Sequence, residues 1–260
     1  MRWTDIAVNL LSSQLAGEIG PTLSRAKAAG VHQVVALASD LAEATALQAI
    51  QEDHPELKLT AGVHPHHASE WASDRLERLT RLMQHPAVVA VGECGLDYFR
   101  DFSPRQAQRE AFEAQLALAA ELNRPLVLHC REAYDDFVPM VAQYRDRLPG
   151  AVLHCFTGTA AELEAALELD LHIGITGWIC DERRGTELRT LVPRIPDHRL
   201  LLETDSPYLL PRDLKPKPKH RRNEPAVLPH IARTVAQLRS QTEQHLSAVT
   251  EANVKQLFQL

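Results

Sequence analysis

Eight short apolar runs alternate with helical patterns along the chain, and this alternation restricts the fold more than any other feature. The runs are DIAVNL (5–10), QVVALA (33–38), KLTAGV (58–63), VVAVGE (88–93), LVLHC (126–130), AVLHC (151–155), HIGITG (172–177) and LLLETD (200–205). Most are continuously apolar, as strands covered on both faces of a parallel sheet must be. The segments between them open on helix-start signals. SPRQ puts Ser103 at the cap, Pro104 at the first helical position and Gln106 three residues after the cap. Thr159 with Glu162, and Asp40 with Glu43, repeat that spacing. Strand-helix alternation repeated eight times predicts an α/β fold of the (β/α)8 TIM-barrel type. A doubly wound open sheet is the alternative, weakened because no Gly-rich dinucleotide fingerprint follows the first run. The length of 260 residues supports a substantial core, and no internal boundary is visible. Residues 1–260 are therefore read as a single domain, with 211–225 an ordered surface loop.

Bulk properties narrow the function. No apolar run approaches the roughly 18 residues of a membrane span. The start of the chain lacks a signal-peptide pattern, so a cytoplasmic location is expected. Cys94, Cys130, Cys155 and Cys180 form no C-x-x-C pair, which fits reduced thiols. A net charge of −6 argues against broad coating of duplex nucleic acid. The segment RDLKPKPKHRR (212–222) is the local exception, with six Lys or Arg against one Asp. It is read as a solvated loop able to attract a nucleic-acid backbone.

In such barrels, chemistry sits at the C-terminal ends of the strands. Those ends collect His64, His66, Glu93, Asp97, His129, His154 and Asp205. Alternate strand residues share a face. His129 and His154 are then expected in the barrel mouth, with Cys130 and Cys155 turned outward as buried packing residues. One strand-end His alone would be a hydrogen-bonded core residue. Glu93, His129, His154 and Asp205 on four separate strands instead point to a metal site. Imidazole and carboxylate without thiolate suit Mg, Mn or Zn.

The motifs AGVHPHHA, VAVGECGLDY, RPLVLHCRE, AVLHCFTGT, GITGWICDERRG, LLETDSPYLLP and RRNEPAVLPHI run almost the whole chain. Together they resemble the TatD family of metal-dependent deoxyribonucleases, within the amidohydrolase-like barrels. The resemblance implies a TIM barrel, a divalent metal and hydrolysis of phosphodiester bonds. Its closest match within the family implies 3′–5′ exonuclease action on single-stranded DNA or RNA, with a place in DNA repair or turnover. Carried over by motif, Glu93 is a metal-bridging carboxylate, His129 and His154 are ligands, and Asp205 is a ligand and base. His64, His66 and Arg131 fall where the family places groups near the substrate. One departure stands out. Many members open with an Asp-x-His-x-His strand that holds a second metal, and here Ala7 and Asn9 occupy the two His positions. Ala7 cannot ligate, and Asn9 offers one weak oxygen toward metal or substrate.

A divalent ion, Mg the first expectation, would neutralise the phosphodiester and activate water. Asp205 would hold that water or take its proton. Arg131 would reach the phosphate, with Arg183 and Arg184 weaker candidates. Trp178 and Tyr98 are placed either to stack on a base or to pack as loop aromatics on the barrel rim. The chain is expected to act as a monomer without a membrane partner. Two rivals use the same residues: an amide or ester hydrolase acting on a small molecule or aminoacyl-tRNA, and a binding module whose site decayed at Ala7 and Asn9.

Overall fold

The computed structural model describes residues 1–260. All eight expected strands form: β1 (Trp3–Val8), β2 (Val31–Ala36), β3 (Leu57–Ala61), β4 (Val88–Asp97), β5 (Leu126–Arg131), β6 (Ala151–Leu153), β7 (His172–Ile175) and β8 (Leu200–Leu202). They lie in chain order in one eight-stranded sheet. A parallel bridge pairs Val8 with Ser206, just past the last strand. This is the expected (β/α)8 barrel. The helices are α1 (Ile19–Ala28), α2 (Leu41–Asp53), α3 (Ser73–Leu82), α4 (Arg105–Glu121), α5 (Tyr134–Tyr144), α6 (Ala160–Glu168), α7 (Thr186–Leu191), α8 (Leu228–Leu238) and α9 (Glu243–Phe258).

The chain clusters into two compact units. One comprises residues 1–36, 155–164 and 172–260 and contains β1, β2, β7 and β8. Here the backbone NH of Asn9 donates to Ser206 (2.8 Å) and that of Asp205 to Ala7 (3.0 Å), tying the end of β1 to the segment after β8. Asp5 is fully buried in β1, and burial pushes its carboxyl up to about 7. The carboxyl accepts from the Thr204 amide at 2.9 Å and from the Thr204 hydroxyl.

The other unit comprises residues 37–154 and 165–171 and contains β3 to β6. Its core packs Phe112 of α4 against Phe137 of α5, ring centroids 5.6 Å apart. Burying two such rings contributes about 3–6 kcal/mol. Two buried glutamines of α4 fix the strand ends. Gln115 bonds the Val63 amide (2.8 Å) and carbonyl (3.1 Å), and Gln108 bonds the Asp97 amide (2.8 Å) and carbonyl (3.2 Å). Each side-chain amide satisfies a donor and an acceptor that the strand ladder leaves open.

The helix-start expectations divide. Asp40 caps α2 through the Ala42 and Glu43 amides, and Thr159 and Glu162 bond reciprocally ahead of α6. Ser103 does not cap α4. Its hydroxyl bonds the Ser69 amide and the His66 carbonyl at 3.0 and 2.9 Å, holding the loop after β3. Pro104 becomes the boundary residue, and α4 starts at Arg105.

Candidate metal centre

Three imidazoles converge on one carboxylate oxygen. Glu93 Oε1 lies 3.0 Å from His129 Nδ1, 3.4 Å from His154 Nε2 and 3.5 Å from His64 Nε2. His64 comes from the turn after β3, Glu93 from β4, His129 from β5 and His154 from just past β6. The ligand-capable atoms of His64, Glu93 and His129 all lie within 4.8 Å of one another. His64, Glu93 and His154 are buried.

Glu93 reaches this position through a bulge. Gly92 pairs with Val127 and Cys94 with Leu128, so Glu93 is the extra residue between successive partners. Beyond it, Gly95 adopts a φ of +143°, and a Cβ there would sit 1.9 Å from the His129 carbonyl. Only glycine lets β4 approach β5 this closely.

Asp97, four residues past Glu93, adds a second carboxylate. Its Oδ2 lies 2.8 Å from His66 Nε2 and 3.3 Å from His129 Nε2. His129 thus stands between two carboxylates. Its neighbours are the carboxylate–imidazole arrangement that orients a metal-ligating His. The sequence puts Asp97 at a strand end without marking a role for it; its position four residues after Glu93 in GECGLDY is the available signal.

The electrostatics follow from these contacts. Burial disfavours the Glu93 carboxylate, but the surrounding imidazoles outweigh it and hold its pKa well below the usual range. Burial drives His64 down to about 4, so it is neutral at physiological pH. Burial also disfavours charged His129, yet its bonds to Asp97 and Glu93 prevail and raise its pKa. The donor set, neutral imidazole plus ionised carboxylate, fits a divalent ion of the Mg, Mn or Zn type. An ion must displace the proton on His129. Metal affinity is therefore expected to climb with pH through the raised His129 value, with a proton released per ion below that value. Calorimetry in buffers of different ionisation enthalpy counts that proton; zero release there would mean His129 is already neutral.

Other candidates fall as follows. Asp205 lies in the first unit, in a left-handed turn after β8 with φ 53°. Asn9 Nδ2 donates to its Oδ1 at 2.9 Å, so the Asn9 amide nitrogen is turned to Asp205. Cys155 departs from the outward position expected of it: Sγ lies within 4.8 Å of an Asp205 carboxylate oxygen. Alternation fails because β6 stops at Leu153 and Cys155 itself has φ 50°, with its amide bonded to buried Glu203. Arg131 is exposed, its guanidinium 3.9 Å from the Phe99 ring centroid. Tyr98 is not the free stacking face expected, because Arg105 covers its ring at 4.3 Å and its hydroxyl bonds Asp136. The exposed aromatics near it are instead Phe99 and Phe102, 49% and 66% accessible. Phe102 meets the His66 ring at 4.8 Å. Trp178 lies in the first unit, its indole NH donating to the Arg184 carbonyl at 3.2 Å.

Comparison with known proteins identifies the family. The family model described as TatD related DNase matches residues 4–259. A protein of Edwardsiella piscicida named 3′-5′ ssDNA/RNA exonuclease TatD is 53% identical over 257 residues, covering 98% of this chain and 99% of that one. One of the same name from Klebsiella pneumoniae is 54% identical over 254 residues, covering 98% and 97%. Among solved structures, a TatD homologue from Escherichia coli K12 superposes with a TM-score of 0.90 at 26% identity, covering 100% of this chain and 98% of the other. A TatD family hydrolase from Entamoeba histolytica gives 0.90 at 26% identity, covering 99% and 98%. The chain belongs to the TatD-related DNase family of metal-dependent hydrolases.

Proposed function

We propose that this enzyme is a 3′–5′ exonuclease that hydrolyses phosphodiester bonds at the ends of single-stranded DNA or RNA. The convergence of His64, His129 and His154 on Glu93 Oε1 carries the reading. The names of its relatives supply polarity and substrate. Glu93, His129, His154 and Asp205 are the residues that would hold a divalent ion, Mg²⁺ by preference. Bound there, the ion supplies charge neutralisation at the phosphate and a more acidic water.

The chain's own groups do the rest. Asp205 takes the water's proton, a role that requires an ionised carboxylate in hydrogen-bond reach. Asn9 is a positioning residue, since its amide nitrogen donates to Asp205 Oδ1 at 2.9 Å and fixes that carboxylate. His64 stays neutral beside the reacting phosphate, and His66 is oriented by Asp97. Phe99, Phe102 and Trp178 offer faces to unpaired bases, and Arg131 brings a cation to the first of them. Stacking of this kind accepts any base but needs it unpaired, which favours single strands. No helix is long and apolar enough to cross a membrane. We place the enzyme in the cytoplasm as a monomer.

The test is a 5′-labelled single strand incubated with Mg²⁺. A ladder shortening from the 3′ end, abolished by a chelator, is expected. No metal-dependent shortening, or shortening that persists in Glu93→Ala, would defeat the reading. Asn9→Ala is expected to lower kcat about 10- to 100-fold. It should move the acid limb of the pH profile to higher pH, because a carboxylate base loses a donor that favours its ionised form. A lower rate with an unmoved profile would assign Asn9 a merely structural part.

A further inference from the structure

We propose that a cavity between the loops following β7 and β8 binds a phosphate of the single strand other than the one being cleaved. The proposal rests on the nuclease reading above. The cavity encloses about 340 Å³. That is within the roughly 300–1,000 Å³ of small-ligand sites and suits one nucleotide. Its lining includes Trp178, Arg183, Arg184, Arg212, Lys217 and Arg221, but no member of the Glu93 cluster.

The charge there is anomalous. Five cationic side chains face the cavity against one carboxylate, Asp181, in a chain of net charge −6. Asp181 is committed to the loop itself. It accepts from the Arg183 amide at 2.9 Å, the Arg184 amide at 3.3 Å and Arg184 Nε at 3.1 Å. Arg212 pairs with Glu182 at 2.8 Å. Lys217 and Arg221 have no carboxylate partner. A concave surface with surplus positive charge concentrates anions.

The geometry is built, not accidental to a flexible loop. A Cβ on Gly177 would lie 2.1 Å from the Leu209 carbonyl, so the two loops close on each other only because residue 177 is glycine. The Arg184 guanidinium lies 4.6 Å from the Trp178 ring centroid, giving a layered cation and indole on one wall. A phosphate beside Lys217 and Arg221 with its base on that wall satisfies both features. Loops after strands 7 and 8 are a recurrent phosphate site in barrels of this architecture.

The consequence is strand-length dependence. A dinucleotide has one phosphodiester, which the metal centre takes, and leaves the cavity nothing to bind. The experiment compares the full-length enzyme with the Lys217→Ala/Arg221→Ala variant. Binding of fluorescent oligo-dT is measured in chelator, and turnover with Mg²⁺ on a 12-mer and a dinucleotide. The variant is expected to bind the long strand about tenfold more weakly, the loss of roughly one charge-assisted contact. Its log Kd against log salt slope should fall by about 0.7, from the one lost phosphate contact. KM for the 12-mer should rise by the same factor with kcat unchanged, and the dinucleotide should not respond. Equal binding and slope in the two proteins overturns the proposal, as does an equal loss on the dinucleotide. Displacement of the strand by mononucleotide as tightly as by oligo-dT, lost in the variant, would assign the cavity to product instead and overturn it too. Wild-type binding without any metal-dependent shortening defeats the nuclease reading alone, because the binding comparison still decides the cavity.

Discussion

Glu93→Gln is expected to reduce exonuclease turnover about a thousandfold or more while leaving the barrel folded. The side chains are nearly isosteric, so packing is preserved and charge is lost. That charge serves three imidazoles at once, His129 at 3.0 Å, His154 at 3.4 Å and His64 at 3.5 Å. Several kcal/mol of charge stabilisation at a metal centre corresponds to three decades of rate, at about 1.4 kcal/mol per decade. Two readouts separate this from a folding defect. Metal stoichiometry should fall in step with activity. The raised pKa of His129 should drop, because only Asp97 remains as its carboxylate partner. The loss also carries a stability sign. The Glu93 pKa lies below its ordinary 4.5, so its contribution is present above that pH and fades as the pH falls through the depressed value. Wild type and Glu93→Gln should therefore converge in stability in acid. Activity within tenfold of wild type, with full metal content, would remove Glu93 from the centre.

The clustered His and Glu residues are legible because they sit where strands end, and strand ends are marked by the breakdown of an apolar run. What alternation could not convey was the geometry past those ends. Strand parity holds only while the ladder does. It stops at Leu153 in β6 and at Leu202 in β8, so Cys155 and Asp205 take left-handed backbone and aim independently of Val152 or Leu201. The bulge at Glu93 is invisible to periodicity for a similar reason: one unpaired residue flips every later side chain. Polar residues were misjudged where their partner is distant in sequence. Ser103 looked like a helix cap, yet its hydroxyl serves residues 34 and 37 positions away. Gln108 and Gln115 carry no signal in the sequence pattern, yet they are buried fasteners of two strand ends. Tyr98 and Phe99 are adjacent aromatics, each with an arginine over its ring, and only tertiary contacts decide that the first is partly buried and the second exposed.

Gly95→Ala is expected to be among the most damaging single substitutions outside the ligands. It links the fold to the site directly. A methyl at this position would overlap the His129 carbonyl at 1.9 Å, and the required φ of +143° is one that L side chains rarely adopt. The conformational cost is about 1–3 kcal/mol and the overpacking cost about 1–3 kcal/mol more. At roughly 2–4 °C per kcal/mol for a chain of this size, melting should fall by about 5–20 °C. Gly17→Ala is the control, since nothing lies within 4 Å of the Cβ it would add. Relief of the overlap can come only from moving β4 away from β5, which lengthens the 3.0 Å contact between Glu93 and His129. The surviving folded protein should therefore bind metal more weakly and turn over more slowly, measured well below its own melting point. A Gly95→Ala enzyme with a lowered melting temperature but wild-type metal affinity would mean that the bulge at Glu93 absorbs the displacement. The ligand geometry would then be held by Gln108 and Gln115 clamping the strand ends, not by the close approach of the two strands.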